Sequence, residues 1–362
     1  MSPDLGPAAR LAGRGVVAVG ALAVGAALGA VAERTLLRGA VRVLPADSEE
    51  FGSLRGDLHV VPAEDGTLLH VEIDEAPGSD ALTVVFCHGY ALNLDSWHYQ
   101  RQAFRGRARL VFYDQRSHGR SARAEFDSHH IDQLGHDLAS VIDAVAPTGP
   151  LLLIGHSMGG MSIMALAEQR PELILDRVFG VALIATTAGG GGSGLLGLPP
   201  FLGSIFQRLA PPLAAAVARQ KRLVERSRWS DSDLGLLLTN LYSFGSATPD
   251  QAGRFVAGMV AATPIDVIAE FLPALQVHDK NDALALFQSA ELLVLVGASD
   301  RLTPREQSDE IVKHVPGAEY IVIPDAGHMV TLERHEEVNA ALLSLLDRVR
   351  RDVAGDAVGG AA

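Results

Sequence analysis

The segment Gly155-His156-Ser157-Met158-Gly159-Gly160 concentrates the residue types that do covalent chemistry. It follows the apolar run Leu151 to Ile154 and opens a stretch with helical spacing, which places Ser157 at a strand-to-helix turn. Glycines at 155 and 159 let strand and helix approach without side-chain collision. The helix N-terminus behind Ser157 favours developing negative charge. A serine hydroxyl becomes a useful nucleophile only when a base takes its proton. Of thirteen histidines, His328 is the candidate, because it follows the last strand-like run directly, in Pro324-Asp-Ala-Gly-His-Met. His129 and His130 read as polar-loop residues, His314 and His335 as solvated positions on amphipathic helices, and His156 as a neighbour whose ring points away from the hydroxyl. The base needs an acid that fixes its tautomer and stabilises its positive form. Asp300, in Gly297-Ala-Ser-Asp300, lies just past another apolar run, whereas Asp325 reads as a turn residue. Two backbone N–H groups should face an oxyanion: that of Met158, and that of Tyr90 in the loop His88-Gly89-Tyr90. His88 itself reads as a structural residue bonded within its loop.

Elements that could carry these residues recur along the chain. Short alternating runs, Asp57 to Val61 and Leu68 to Ile73, flank Glu64-Asp65-Gly66 and predict a hairpin. Continuous apolar runs at 82–87, 110–113, 151–154, 178–184, 292–296 and 320–323 predict strands buried on both faces. Helical spacing over 131–145, 157–168, 306–314 and 336–349 alternates with them, which means βαβ units and a mostly parallel sheet. Residues 188–286 break this alternation. They open on a poly-glycine run that lacks the Lys-Ser/Thr ending of a phosphate loop and reads as a hinge. The rest of that stretch predicts a helical cap over the site. The expected organisation is an N-terminal segment and linker at 1–52, a core at 53–187 and 287–352, a cap at 188–286, and a disordered tail at 353–362.

Composition narrows the function classes. A net charge of −13 argues against nucleic acid, which needs a basic surface. The single cysteine, Cys87, forbids an internal disulfide and reads as a small buried core residue. No His-Glu-x-x-His or paired Cys/His spacing suggests a metal, and no G-x-G-x-x-G follows the first strand, so neither metal nor cofactor is expected. Gly15 to Ala32 is uncharged, with Arg10 and Arg14 before it and Glu33, Arg34 and Arg38 after it. It reads as an uncleaved membrane anchor, near the lower limit of about 17 residues for a span. The alternative is a secretory signal cleaved after Ala30-Val31-Ala32; a buried or peripheral helix is a third reading.

In this order, His88-Gly89-Tyr90, Asp114 to Ser121, Gly155 to Gly160, Gly297 to Asp300 and Gly327-His328 resemble the alpha/beta-hydrolase superfamily over roughly residues 55 to 350. The likeness is greatest to the group holding bacterial esterases and lipases, cofactor-free haloperoxidase-like enzymes and ring-cleavage hydrolases. The resemblance implies an eight-stranded, mostly parallel sheet, a cap after the sixth strand, and acyl-enzyme chemistry on a small-molecule ester. It gives the segment at Asp114 a structural role. Ser157 stands where epoxide hydrolases and haloalkane dehalogenases carry Asp, and Ala91 where epoxide hydrolases usually carry Pro. The apolar cap suggests substrates with an acyl or aromatic part. A perhydrolase, a carbon–carbon bond hydrolase and a small-ligand receptor with a retained triad are the alternative readings.

Overall fold

A computed structural model of the chain describes residues 50–76, 82–189, 243–245 and 250–359. In chain order its elements are β1 (Asp57–Pro62), β2 (Leu68–Asp74), β3 (Thr83–Cys87), α1 (His98–Phe104), β4 (Arg109–Tyr113), α2 (Ile131–Val145), β5 (Leu151–His156), α3 (Met158–Gln169), α4 (Pro171–Arg177), β6 (Val178–Ile184), α5 (Asp250–Ala262), α6 (Ile265–Val277), β7 (Glu291–Gly297), α7 (Arg305–His314), β8 (Glu319–Ile323), α8 (Val330–Glu333) and α9 (His335–Gly359). The eight strands form one sheet in the order β1-β2-β4-β3-β5-β6-β7-β8. Only the β1–β2 and β2–β4 pairs are antiparallel; the other pairs are parallel.

Burial explains why the central strands are apolar throughout rather than alternating. Val85 and Cys87 of β3 pack with Leu138, Ile142, Ile163 and Leu166 on one face. Val84 and Phe86, between them in sequence, pack with Trp97, Phe104, Leu342 and Leu346 on the other. The sheet therefore sits between α2 and α3 on one side and α1 and α9 on the other. Burial also pushes the Cys87 thiol up to about 12, so this residue is an inert part of the core, as its setting in an apolar run suggested.

Two boundaries differ from the sequence-based expectation. Helix α9 runs through Gly359, past residue 353, where a disordered tail was expected; Val338, Leu342, Leu345, Leu346 and Val349 anchor it to the sheet. The core also resumes before residue 287. Ala283, Leu284 and Phe287, on a 3-10 segment at Asp282–Ser289, are buried against it. Between β6 and β7 the described helices are α5 and α6; the poly-glycine stretch from 190 onward lies outside the described residues. Residues 15–32 lie outside them as well. Among the described residues no single helix is long and apolar enough to cross a membrane.

Helix α6 packs Val267, Phe271 and Leu275 against Ile131, Leu134, Met158 and Met161. Helix α5 packs Val256 and Met259 against Leu92, Phe244, Met329 and Leu332. The two helices thus cover the residues next to Ser157 on one side and next to His328 on the other.

Candidate active site

Ser157 follows the last residue of β5 and precedes the first of α3, with φ 53° and ψ −120°. This is a left-handed backbone that a non-glycine residue adopts at a cost of order 1–3 kcal/mol. The fold holds it there. Ser157 N donates to Ile184 O at 2.9 Å, and Thr186 Oγ1 donates to Ser157 O at 2.7 Å. The motif glycines are required by contact: a Cβ on Gly155 would lie 2.6 Å from the carbonyl carbon of Gly159, and one on Gly159 would lie 2.0 Å from Cys87 O.

Asp300 and His328 meet. His328 Nδ1 lies 2.9 Å from Asp300 Oδ2, with the aspartate side chain fully buried and the histidine 8% exposed. An Nδ1–H donated to the carboxylate leaves Nε2 as the free, basic nitrogen. Asp300 Oδ1 accepts from Leu302 N at 2.8 Å and Thr303 N at 3.0 Å. Both oxygens are therefore engaged and the carboxylate has a fixed orientation. Asp325, with φ 52°, occupies a turn, as expected.

His156 joins the two ends of the site. Its ring points away from the nucleophile and towards the base loop. Nε2–H donates to His328 O at 2.9 Å, and the two imidazoles lie 4.9 Å apart. Burial pushes His156 down to about 3, so it stays neutral near pH 7. On its other side, a Cβ on Gly89 would come within 2.9 Å of His156 Nδ1, so this imidazole also packs against the loop that carries Tyr90. The hydroxyl of Ser157 makes no hydrogen bond within 3.5 Å to His328 among the described residues. Catalytic contacts of this kind commonly tighten only when substrate binds.

Tyr90 packs against the apolar cluster that contains Met158. Met158 is the first residue of α3, where a backbone N–H has no partner in its own helix. The Tyr90 loop is held by Asp114, whose Oδ1 accepts from Leu94 N at 2.7 Å and whose Oδ2 accepts from Arg120 N at 2.7 Å. Burial raises the Asp114 carboxyl to about 6. His88 bonds locally: Nδ1 lies 2.8 Å from Gly89 O, and Nε2 accepts from Gln115 N at 2.9 Å. Both residues thus serve the loop's shape.

Several side chains were misjudged from sequence. His129, read as a polar-loop residue, is buried. Its Nε2 lies 2.8 Å from Ser117 Oγ, and its Nδ1 lies 2.9 Å from Glu270 Oε2 of α6, though without hydrogen-bond alignment. Arg123 reaches the same carboxylate at 2.5 Å, and the Tyr90 phenol donates to Ile268 O. Together these tie α6 to the core. His335 is half-buried and stacks on Tyr99 at 3.7 Å. Thr303 escaped notice, although its position three residues after Asp300 and before Pro304 is a turn signal.

A parallel sheet with a serine on a strained strand-to-helix turn, and an Asp–His pair beyond two later strands, is a hydrolase arrangement. The sequence pattern of the Alpha/beta hydrolase family matches residues 84–341, and the chain belongs to that family. RutD from Caulobacter sp. (strain K31), a carbamate hydrolase by name, is 29% identical over 77% of this chain and 95% of its own length. The sn-1-specific diacylglycerol lipase ABHD11 of Mus musculus is 26% identical over 88% of this chain and 95% of its own. Among solved structures, an esterase from Thermogutta terrifontis aligns with TM-score 0.63 at 23% identity, covering 81% of this chain and 99% of that one. The enol-lactonase of Burkholderia xenovorans LB400 gives TM-score 0.63 at 22% identity, covering 80% and 100%.

Proposed function

We propose that the protein cleaves carboxylic esters of small molecules through an acyl-enzyme. Ser157 Oγ attacks the ester carbonyl while His328 Nε2 takes its proton. The N–H groups of Tyr90 and Met158 hold the oxyanion. His328 then protonates the leaving alcohol, and a water activated by His328 releases the acid. The observation that carries this reading is the buried His328–Asp300 pair at 2.9 Å beside a serine held at φ 53°. In this reading the Ser157 hydroxyl comes within hydrogen-bond reach of Nε2 when substrate binds. The apolar residues of α5 and α6 around the site favour an acyl or aromatic portion in the substrate, in keeping with a relative named as a lipase.

Labelling with a fluorophosphonate followed by peptide mapping tests the assignment. The label is expected on Ser157, and Ser157→Ala should abolish both labelling and turnover of a chromogenic ester. Attachment at another residue would overturn the mechanism. Faster turnover of short polar esters than of medium-chain ones would overturn the substrate class alone. We also propose that residues 15–32 anchor the protein to a membrane. Carbonate-resistant sedimentation of the full chain, lost when residues 1–49 are removed, is the expected result; a full chain recovered in the soluble fraction, or mature protein beginning just after Ala32, overturns it.

A further inference from the structure

We infer that Thr303 is a positioning residue for the His328 base, a role that rests on the ester-hydrolase reading. Its hydroxyl is buried, at 3% residue exposure, and closes a triangle with the two residues already described. Thr303 Oγ1 lies 2.9 Å from Asp300 Oδ2 and 3.2 Å from His328 Nδ1, while Nδ1 and Oδ2 are themselves 2.9 Å apart. Proton counting fixes the directions. Nδ1 carries one hydrogen, which points to the carboxylate and grazes the threonine oxygen. The threonine carries one hydrogen, which can go only to Oδ2. The oxygen that holds the imidazolium therefore shares its charge with a second donor.

This has two consequences. The second donor, with the bond from Thr303 N to Oδ1 at 3.0 Å, leaves the carboxylate a single rotamer, so the imidazole is aimed by a rigid acceptor. It also withdraws charge from Oδ2, which moderates how strongly the imidazolium is stabilised. Among the described residues, the titratable groups at His328 and its loop are Asp300 from the loop after β7, neutral His156 from the end of β5, and Glu333 of α8, which accepts from Gly327 N at 2.7 Å. None of the others can replace a neutral hydroxyl on Oδ2.

The test is the rate of Ser157 labelling by a fluorophosphonate as a function of pH, in the full-length wild type, Thr303→Val and Thr303→Ser, with folding checked by circular dichroism. Loss of one hydrogen bond to a charged group is expected to lower the plateau rate of Thr303→Val about tenfold. The acid limb of its profile should also move to higher pH by about half a unit, because the uncovered Oδ2 holds the imidazolium more firmly. Thr303→Ser, which keeps the donor, should retain the wild-type limb and most of the rate. A Thr303→Val enzyme labelled like wild type overturns the inference. So does one that slows with its limb unmoved, which is packing loss only, or a serine variant that behaves like valine. If valine does not fold at this site, Thr303→Ala carries the same comparison. Wild-type labelling at a residue other than Ser157 overturns the ester-hydrolase reading itself, and with it the role assigned here; an unchanged Thr303→Val with Ser157 labelled overturns this role alone.

Discussion

Replacing Gly159 with alanine should remove activity by displacing the nucleophile. Gly159 is the second residue of α3, and a Cβ there would sit 2.0 Å from Cys87 O and 2.5 Å from its carbonyl carbon. Ordinary contact begins at 3.4 Å, so helix and strand must separate by more than an ångström. Cys87 belongs to β3, which is paired on both edges by β4 and β5, and a strand so held yields less than a helix terminus. The N-terminus of α3 therefore moves, taking Ser157 Oγ and the Met158 N–H with it. Overpacking of this kind costs about 1–3 kcal/mol of stability. Misplacing a reacting group by about 1 Å costs about a hundredfold in rate. We expect Gly159→Ala to lower kcat/KM on a chromogenic ester at least about a hundredfold, with urea unfolding shifted by about 1–3 kcal/mol. Gly258 in α5 is the control, since a Cβ there meets nothing within 4 Å; its alanine variant should be active and equally or more stable. A Gly159→Ala enzyme within about threefold of wild type would refute the reasoning, because the close contact would then be absorbed elsewhere.

Asp300→Asn should keep the fold yet lower kcat by about 10³–10⁴-fold, as a carboxamide cannot hold the imidazole in the reactive tautomer; near-wild-type single-turnover rates would remove Asp300 from the mechanism. Tyr90→Phe deletes the phenol bond to Ile268 O of α6 but not the backbone N–H, so KM for a medium-chain ester should rise several-fold with kcat little changed; a large fall in kcat with KM constant would contradict that division of labour. Acid should unfold the protein early: burial holds His88, His118, His156 and His278 at about 3, 4, 3 and 4, below the 6.5 of an unfolded chain, so their contribution is complete above about pH 6.5 and drains as pH falls. At pH 5 each costs about 2 kcal/mol against a total stability of about 5–15 kcal/mol, while Asp114, raised to about 6, and Asp137, also raised by burial, oppose them; unchanged near-ultraviolet circular dichroism at pH 4 would show this balance to be wrong.

What could be read from the sequence follows from how local its cause is. Strands β3 to β7 were visible because burial on two faces demands an unbroken apolar run, which local composition reports directly; the run at 320–323 also marks a strand, but β8 lies at the sheet edge and is only partly buried rather than covered on both faces. Ser157 was visible because its turn needs glycines two residues away on either side. Helix α1 was not visible. His98, Gln100 and Arg101 are buried in it, and Arg101 is polar in sequence but satisfied by Glu72 and Asp74, far upstream. The burial of His129 was not visible for the same reason: its partner Glu270 arrives from α6, whose position depends on how the cap docks. The tail was misread because Gly355 and the alanines around it look like a loop, whereas the apolar stripe from Val338 to Val349 had already committed the helix to the sheet.

The same distinction separates the chemistry from the specificity. Past the ends of the strands, backbone bonds continue across the sheet: Ser157 N to Ile184 O, Ala185 N to Leu295 O, Ala298 N to Ile323 O and Ser299 N to Ala326 O, at 2.8–2.9 Å. They link the nucleophile turn, the end of β6, the acid loop and the base loop into one rim. Slippage of one strand would break this series, and in the proposed mechanism it would displace Ser157, Asp300 or His328. The cap, by contrast, is attached largely by side chains, namely Glu270 to Arg123, the Tyr90 phenol to Ile268 O, and the apolar contacts of Phe271 and Met259, with one backbone bond from Met329 N to Ser243 O at 2.7 Å. The side-chain contacts can be exchanged residue by residue without disturbing the rim. In the proposed mechanism, the reacting groups are thus set by backbone geometry that glycine and strand patterns encode, and the substrate's shape by side-chain contacts that no short motif encodes.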